Sequence, residues 1–145
     1  MLTTLERVMF LKRVPLFARV PGEDLVRLAQ EATVETYAEG QQVFGLGDPG
    51  DAMYLIVSGS VCVSVEDKEI ARLGEEDCFG EMAILDREPR SATVTALDPV
   101  TALRIAREDF FEIMADRPEI ALGIIEVLTK RLRRADEEIR KQGHS

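Results

Sequence analysis

The middle of the chain, from about Thr33 to Ile105, predicts a mainly β fold of sandwich or jelly-roll type with α-helices flanking it. Short apolar runs return there at roughly 8–12-residue spacing, the rhythm of short strands in such folds. Glycines at 40, 45, 47, 50, 59, 74 and 80 punctuate the runs. On both sides of this stretch the apolar period becomes helical.

The elements follow in order. Thr3 and Glu6 fit a capping box, which satisfies orphan N–H groups at a helix start; Leu5, Val8 and Met9 then share one face. Pro15 stops that helix. A second one begins at Pro21-Gly22-Glu23-Asp24 and carries Leu25, Leu28, Ala29 and Ala32 at i, i+3, i+4 and i+7. Met53 to Val57 and the strand from Val61 read as a hairpin turned at Ser58-Gly59-Ser60. Val61, Val63 and Val65 alternate with Cys62, Ser64 and Glu66, the pattern of one buried face. Asp67-Lys68 turns the chain into a return strand, Glu69 to Leu73. Ala92 to Ala96 and Val100 to Ile105 are two more strands, divided by Asp98-Pro99.

Arg107 to Met114 predicts a short helix with Phe110, Ile113 and Met114 inward. A long helix follows Asp116-Arg117-Pro118, where Pro118 suits a first helical position. Its Ile125, Leu128, Leu132, Ala135 and Ile139 repeat at heptad spacing, which fits a homodimer face but is too short to define a coiled coil. Gly143-His144-Ser145 is expected to be a disordered tail.

At 145 residues the chain suits one domain, 1–145: N-terminal helices over 1–32, a β unit over 33–105 and C-terminal helices over 106–142. The net charge is −9, and the basic cluster Lys130, Arg131, Arg133 and Arg134 runs straight into Asp136, Glu137 and Glu138. A nucleic-acid face needs a basic stripe, so neither nucleic acid nor an anionic membrane is an expected partner. Cys62 and Cys78 have no second Cys or His at metal-ligand spacing. They are expected to be buried thiols in a reducing compartment, with no metal site. No secretory leader or membrane-spanning run is visible, and a cytoplasmic protein is the expectation. The single histidine, His144, leaves a Ser-His-Asp triad or a histidine-rich metal site without parts, so no catalytic residue and no enzymatic activity are expected.

One stretch carries chemistry: CFGEMAILDREPRSATV, Cys78 to Val94. A short helix is expected over residues 81–85, and the backbone N–H groups at its start form an anion site. Gly80, with no Cβ, lets a ligand approach the backbone. Arg90 adds paired donors for phosphate oxygens, and the Ser91 hydroxyl and Ala92 N–H add more. An anion pocket alone has no use for Glu81. An acceptor there fits a ligand with a hydroxyl beside its phosphate, such as a ribose 2′-OH next to a 3′,5′-cyclic phosphate. The bland alternative is an Arg90–Glu81 ion pair holding a loop. Acid–base hydrolysis by Glu81 and Asp86 is a poor alternative, because Asp86-Arg87-Glu88 reads as a solvated turn.

FGEMAILDREPRSATV resembles the phosphate-binding cassette of cyclic nucleotide-binding domains, the family of the cAMP-dependent kinase regulatory subunit and the catabolite activator protein. Its Phe-Gly-Glu start, its Pro-Arg-small-Ala-Thr-Val end and the Glu81-to-Arg90 spacing carry the likeness. Ala38-Glu39-Gly40, Gly47-Asp48-Pro49-Gly50-Asp51 and Tyr54 to Val61 are similar to the family's glycine-marked strands.

The resemblance implies an eight-stranded β jelly roll (a double-stranded β-helix) with N-terminal helices and C-terminal hinge and lid helices, and with the cassette at 79–94. It implies that Glu81 binds the ribose 2′-OH and that Gly80, Met82 and Ala83 lie along the ligand. Arg90, Ser91 and Ala92 would hold the phosphate. Val63, Ile70 and Ala71 would lie under the base, with Leu128 and Arg131 capping it from the long helix; plain core is the alternative for Val63, Ile70 and Leu128. No cofactor is implied beyond the ligand, cAMP or cGMP. Ser91 resembles both cGMP-preferring members and bacterial cAMP regulators, and cAMP is the expectation. Function follows as a sensor in which ligand shifts a hinge, Asp98 to Asp116, under the long helix. The alternatives are a jelly-roll interaction module without ligand, or the sensor piece of a larger regulator, transporter or transcription factor.

Overall fold

A computed structural model describes residues 2–80 and 88–143, with side chains to residue 141. The 81–85 helix, together with Glu81, Met82 and Ala83, lies outside the described residues, as do His144 and Ser145. The helices are α1 (Thr4–Arg13), α2 (Gly22–Glu31), α3 (Arg107–Asp116) and α4 (Glu119–Gly143), with a 3₁₀ turn at Pro15–Phe17. The strands are β1 (Thr33–Tyr37), β2 (Gln42–Phe44), β3 (Ala52–Ser58), β4 (Val61–Val65), β5 (Lys68–Leu73), β6 (Cys78–Phe79), β7 (Thr93–Ala96) and β8 (Val100–Ala106). They form two antiparallel four-stranded sheets, ordered β1-β8-β3-β6 and β2-β7-β4-β5. This is the eight-stranded jelly roll with flanking helices that the sequence implied.

In the first sheet, β3 is buried on both faces over Ala52 to Ile56. Ala52, Tyr54 and Ile56 of β3 and Ala102 of β8 enter a core between the sheets. Met53, Leu55, Leu103 and Ile105 point the other way, into a second core with α1, α2, α3 and the start of α4. A strand covered on both faces has no polar side to show, so β3 reads as an unbroken apolar run. In the helical core, Phe17 of the 3₁₀ turn meets Phe110 of α3 edge to face at 6.1 Å.

Several expectations change. The capping box is present, but α1 buries Val8, Phe10 and Leu11 and leaves Leu5 and Met9 exposed. Arg7 sets this orientation: its guanidinium donates to the carbonyls of Ala29 and Ala32 at the end of α2, turning the neighbouring face inward. Ser58-Gly59-Ser60 is not a hairpin turn, because β3 pairs with β6 and β8 while β4 pairs with β5 and β7. The chain crosses between the sheets there. The true hairpin joins β4 to β5 through Glu66 and Asp67, both at positive φ. Cys62 is only half-buried, whereas Cys78 is buried; neither forms a disulfide. Met114 is only partly buried. Gly143 belongs to α4 rather than to a tail. Within the expected hinge, Asp98 to Asp116, residues 100–106 form β8, an interior strand paired on both sides, and α3 follows it. No described helix is long and apolar enough to cross a membrane.

Candidate ligand pocket

Arg90 is held from two directions. Its backbone is tied to the loop before β3: Gly47 N donates to Arg90 O at 2.9 Å, and Arg90 N donates to Asp48 O at 2.8 Å. Its side chain then runs inward, where Nη2 donates to Ala52 O at 2.8 Å and Nη1 to Gly80 O at 3.0 Å. The guanidinium carbon lies 4.1 Å above the centre of the Phe44 ring, a cation–π contact. Phe44 is itself packed on Phe79, which stacks on Tyr54 at 5.1 Å. Arg90 is only 4% exposed.

That burial is costly. It pushes the Arg90 pKa down, and the charges of Arg104 and Arg107 add to the effect, while Tyr54 and Asp51 oppose it. Among the described residues Arg90 forms no ion pair, and its buried Nε has no hydrogen-bond partner. The nearby Asp51 pairs with Arg104 instead, at 3.3 Å. A buried cation with donors left over is a group suited to receive an anion.

Arg90 stands on the wall of a cavity of about 410 Å³, within the usual range for small-molecule sites. One wall is a cross-strand row of the second sheet: Phe44 opposite Val94, Val94 opposite Val63, and Val63 opposite Ala71. Leu73 extends it along β5. Cys78, Phe79 and Gly80 form the opposite side, and Ser91 and Ala92 continue from Arg90 along the rim. Ser91 is exposed and Ala92 is buried. Arg131 reaches the cavity from α4 and donates to Cys78 Sγ at 3.6 Å.

The structure therefore brings Gly80, Arg90, Ser91, Ala92, Val63, Ala71 and Arg131 to one cavity. Two residues of the expected set are elsewhere. Ile70 is 57% exposed, because a bulge sets Val63 opposite Ala71 and Ser64 opposite Glu69, leaving Ile70 unpaired and outward. Leu128 packs instead against the helical core. Sequence reading missed Phe44, Leu73, Cys78, Phe79 and Val94. Strand periodicity points from Ala71 to Leu73, but Phe44 and Val94 join the row only through pairing with distant strands.

Gly80 has φ +82°, and a Cβ there would fall 2.6 Å from Arg90 Nη1 and 3.1 Å from Ala52 O. The glycine makes room for the guanidinium. Gly80→Ala is expected to lower stability by about 1–3 kcal/mol through backbone strain and displacement of Arg90. Urea denaturation checks this; a parental midpoint would show that the guanidinium has another place to go.

Known proteins share this architecture. Residues 34–117 match the model of a family described as cyclic nucleotide-binding domain. The chain is 32% identical over 134 residues to the CRP-like cAMP-activated global transcriptional regulator of Mycobacterium tuberculosis, covering 89% of this chain and 60% of that protein. The crystal structure of Thermus thermophilus catabolite activator protein is 31% identical with a TM-score of 0.78, covering 89% of this chain and 63% of that one. The N-terminal domain of a transcriptional regulator from Streptomyces coelicolor A3(2) is 32% identical with a TM-score of 0.72, covering 89% and 93%. This chain spans 60–62% of the length of the first curated relatives that it matches.

Proposed function

The chain belongs to the cyclic nucleotide-binding domain family, and on that premise we propose that residues 1–145 act as one sensor module that binds cAMP in preference to cGMP. The observation that supports this best is the buried Arg90, a cation with no ion-pair partner among the described residues, beside a largely apolar cavity. The cyclic phosphate is the anion that Arg90 receives, with Ser91 and the Ala92 N–H beside it. The base lies on Val63 and Ala71, under Arg131. Glu81 takes the ribose hydroxyl, with Met82 and Ala83 along the ligand; these three assignments rest on the family resemblance alone. Names among the relatives support cAMP as the nucleotide. Binding shifts α3 and α4, so the module reports a ligand and catalyses nothing. It works in the cytoplasm.

Calorimetric titration with cAMP and cGMP, after refolding to strip any bound nucleotide, tests this. Micromolar or tighter binding with cAMP preferred is the expected result. A folded chain that binds neither overturns the reading, and preference for cGMP overturns the selectivity.

The module also pairs with itself through α4. Leu122, Ile125, Leu132 and Ile139 are each more than half exposed along this helix, and Leu128, turned into the core, does not join them. Light scattering at several concentrations is expected to find a dimer that Leu132→Glu converts to monomer. A monomer at the highest concentration would sink the idea.

A further inference from the structure

The elbow between α3 and α4 is tied to α2 by an ion-pair clamp that no part of the nucleotide reading uses. Arg117, at the elbow between α3 and α4, sits between two carboxylates on the first turn of α2. Its Nε lies 3.0 Å from Asp24 Oδ2, and its Nη2 donates to Glu23 Oε1. One residue earlier, Asp116 Oδ2 accepts from Arg27 Nη1 at 2.7 Å. Base-on-acid and acid-on-base pairs stand side by side, so the elbow docks in one register only. The Asp24 side chain is 6% exposed. A buried carboxylate needs a partner, which makes Arg117 the critical member. Another ion pair along α4, Arg19 with Glu126 at 2.9 Å, is at least half exposed on both sides and correspondingly weak.

The clamp lies far from the cavity, but α4 connects the two. From Arg117 to Arg131 is about four helical turns, roughly 21 Å. A tilt of about 10° at the elbow would move Arg131 by roughly 4 Å at that lever length. That is enough to separate it from Cys78, which it now meets at 3.6 Å.

We propose that Arg117 is a positioning residue: held by Glu23 and Asp24, it sets the direction of α4 and so keeps Arg131 on the cavity rim over Cys78. What the positioned helix does for a ligand rests on the nucleotide-binding reading; the clamp itself does not.

A thiol reports the clamp without any ligand. In a Cys62→Ser background Cys78 is the chain's only cysteine, and its reaction with Ellman's reagent under native conditions measures how well α4 covers it. Arg117→Gln is expected to speed that reaction about tenfold, as local opening of α4 becomes easier. It should also raise the cAMP dissociation constant about three- to tenfold, mostly through faster release, and Arg117→Lys should restore most of both.

Because Arg117→Gln leaves Asp24 buried and alone, Glu23→Gln is the second variant. It removes only the exposed arm, and about twofold faster labelling with an unchanged circular dichroism spectrum is expected. Parental labelling rates in both variants would overturn the clamp. Faster labelling with an unchanged dissociation constant would overturn its role in positioning the site. If the parent chain binds neither nucleotide, the functional reading falls, while the labelling rates still decide the clamp.

Discussion

Replacing Arg90 with lysine is expected to weaken cAMP binding at least about tenfold and leave the chain folded, since one charge-assisted hydrogen bond contributes about 1.5–3 kcal/mol. The two side chains differ in shape more than in charge. The guanidinium reaches Ala52 O and Gly80 O with separate nitrogens and lies flat on Phe44. An ammonium can keep one carbonyl partner, but it cannot also present a planar pair of donors to a phosphate or stack on the ring. Alanine should cost binding and fold together. It strands two carbonyl oxygens in a buried site at about 1–3 kcal/mol each and empties the space above Phe44. Titration of the lysine variant beside urea denaturation of both separates the two effects. Parental affinity in a folded Arg90→Lys protein would remove Arg90 from the ligand.

Residues whose environment is local were legible in the sequence. The capping box at Thr3, the helical face of Leu25 and Leu28, and the grouping of Gly80, Arg90, Ser91 and Ala92 at one cavity all concern residues a few positions apart. Residues whose environment is set by pairing with distant chain were not. Val63, Ile70 and Ala71 looked equivalent as strand positions, yet a single bulge opposite Ser64 sends Ile70 into solvent. Leu128 fitted a heptad seam, but it is the packing of α4 on the 3₁₀ turn and on α3 that turns it inward. The buried face of α1 is set by distant chain as well: Leu5 and Met9 are apolar like Val8, but packing against the helical core and the Arg7 contact with the end of α2 turn Val8 inward. The crossing at Gly59 looks like a hairpin in sequence because glycine flanked by serines serves either turn, and which strands pair is set by distant chain.

That crossing carries the largest expected effect on stability. Gly59→Ala is expected to destabilise the chain by about 3 kcal/mol, through backbone strain and overpacking together. Gly59 has φ +92°, and a Cβ there would fall 2.4 Å from Pro99 O and 3.0 Å from the Val100 Cα. Those are backbone atoms at the start of β8, which cannot rotate away. The surroundings are fixed as well: Asp98 accepts from Ser60 N at 2.7 Å and from Ser60 Oγ at 3.0 Å, and Leu97 N donates to Ser60 O at 2.9 Å. With a urea slope of about 1.5–2 kcal/mol/M, the midpoint should fall by roughly 1.5–2 M. Gly74→Ala is the control, because a Cβ there meets nothing within 4 Å, and its midpoint should stay near the parental value. A parental midpoint in Gly59→Ala would mean that the crossing can open without cost. The cavity wall depends on the same crossing, because β4 leaves it directly and carries Val63 into that wall.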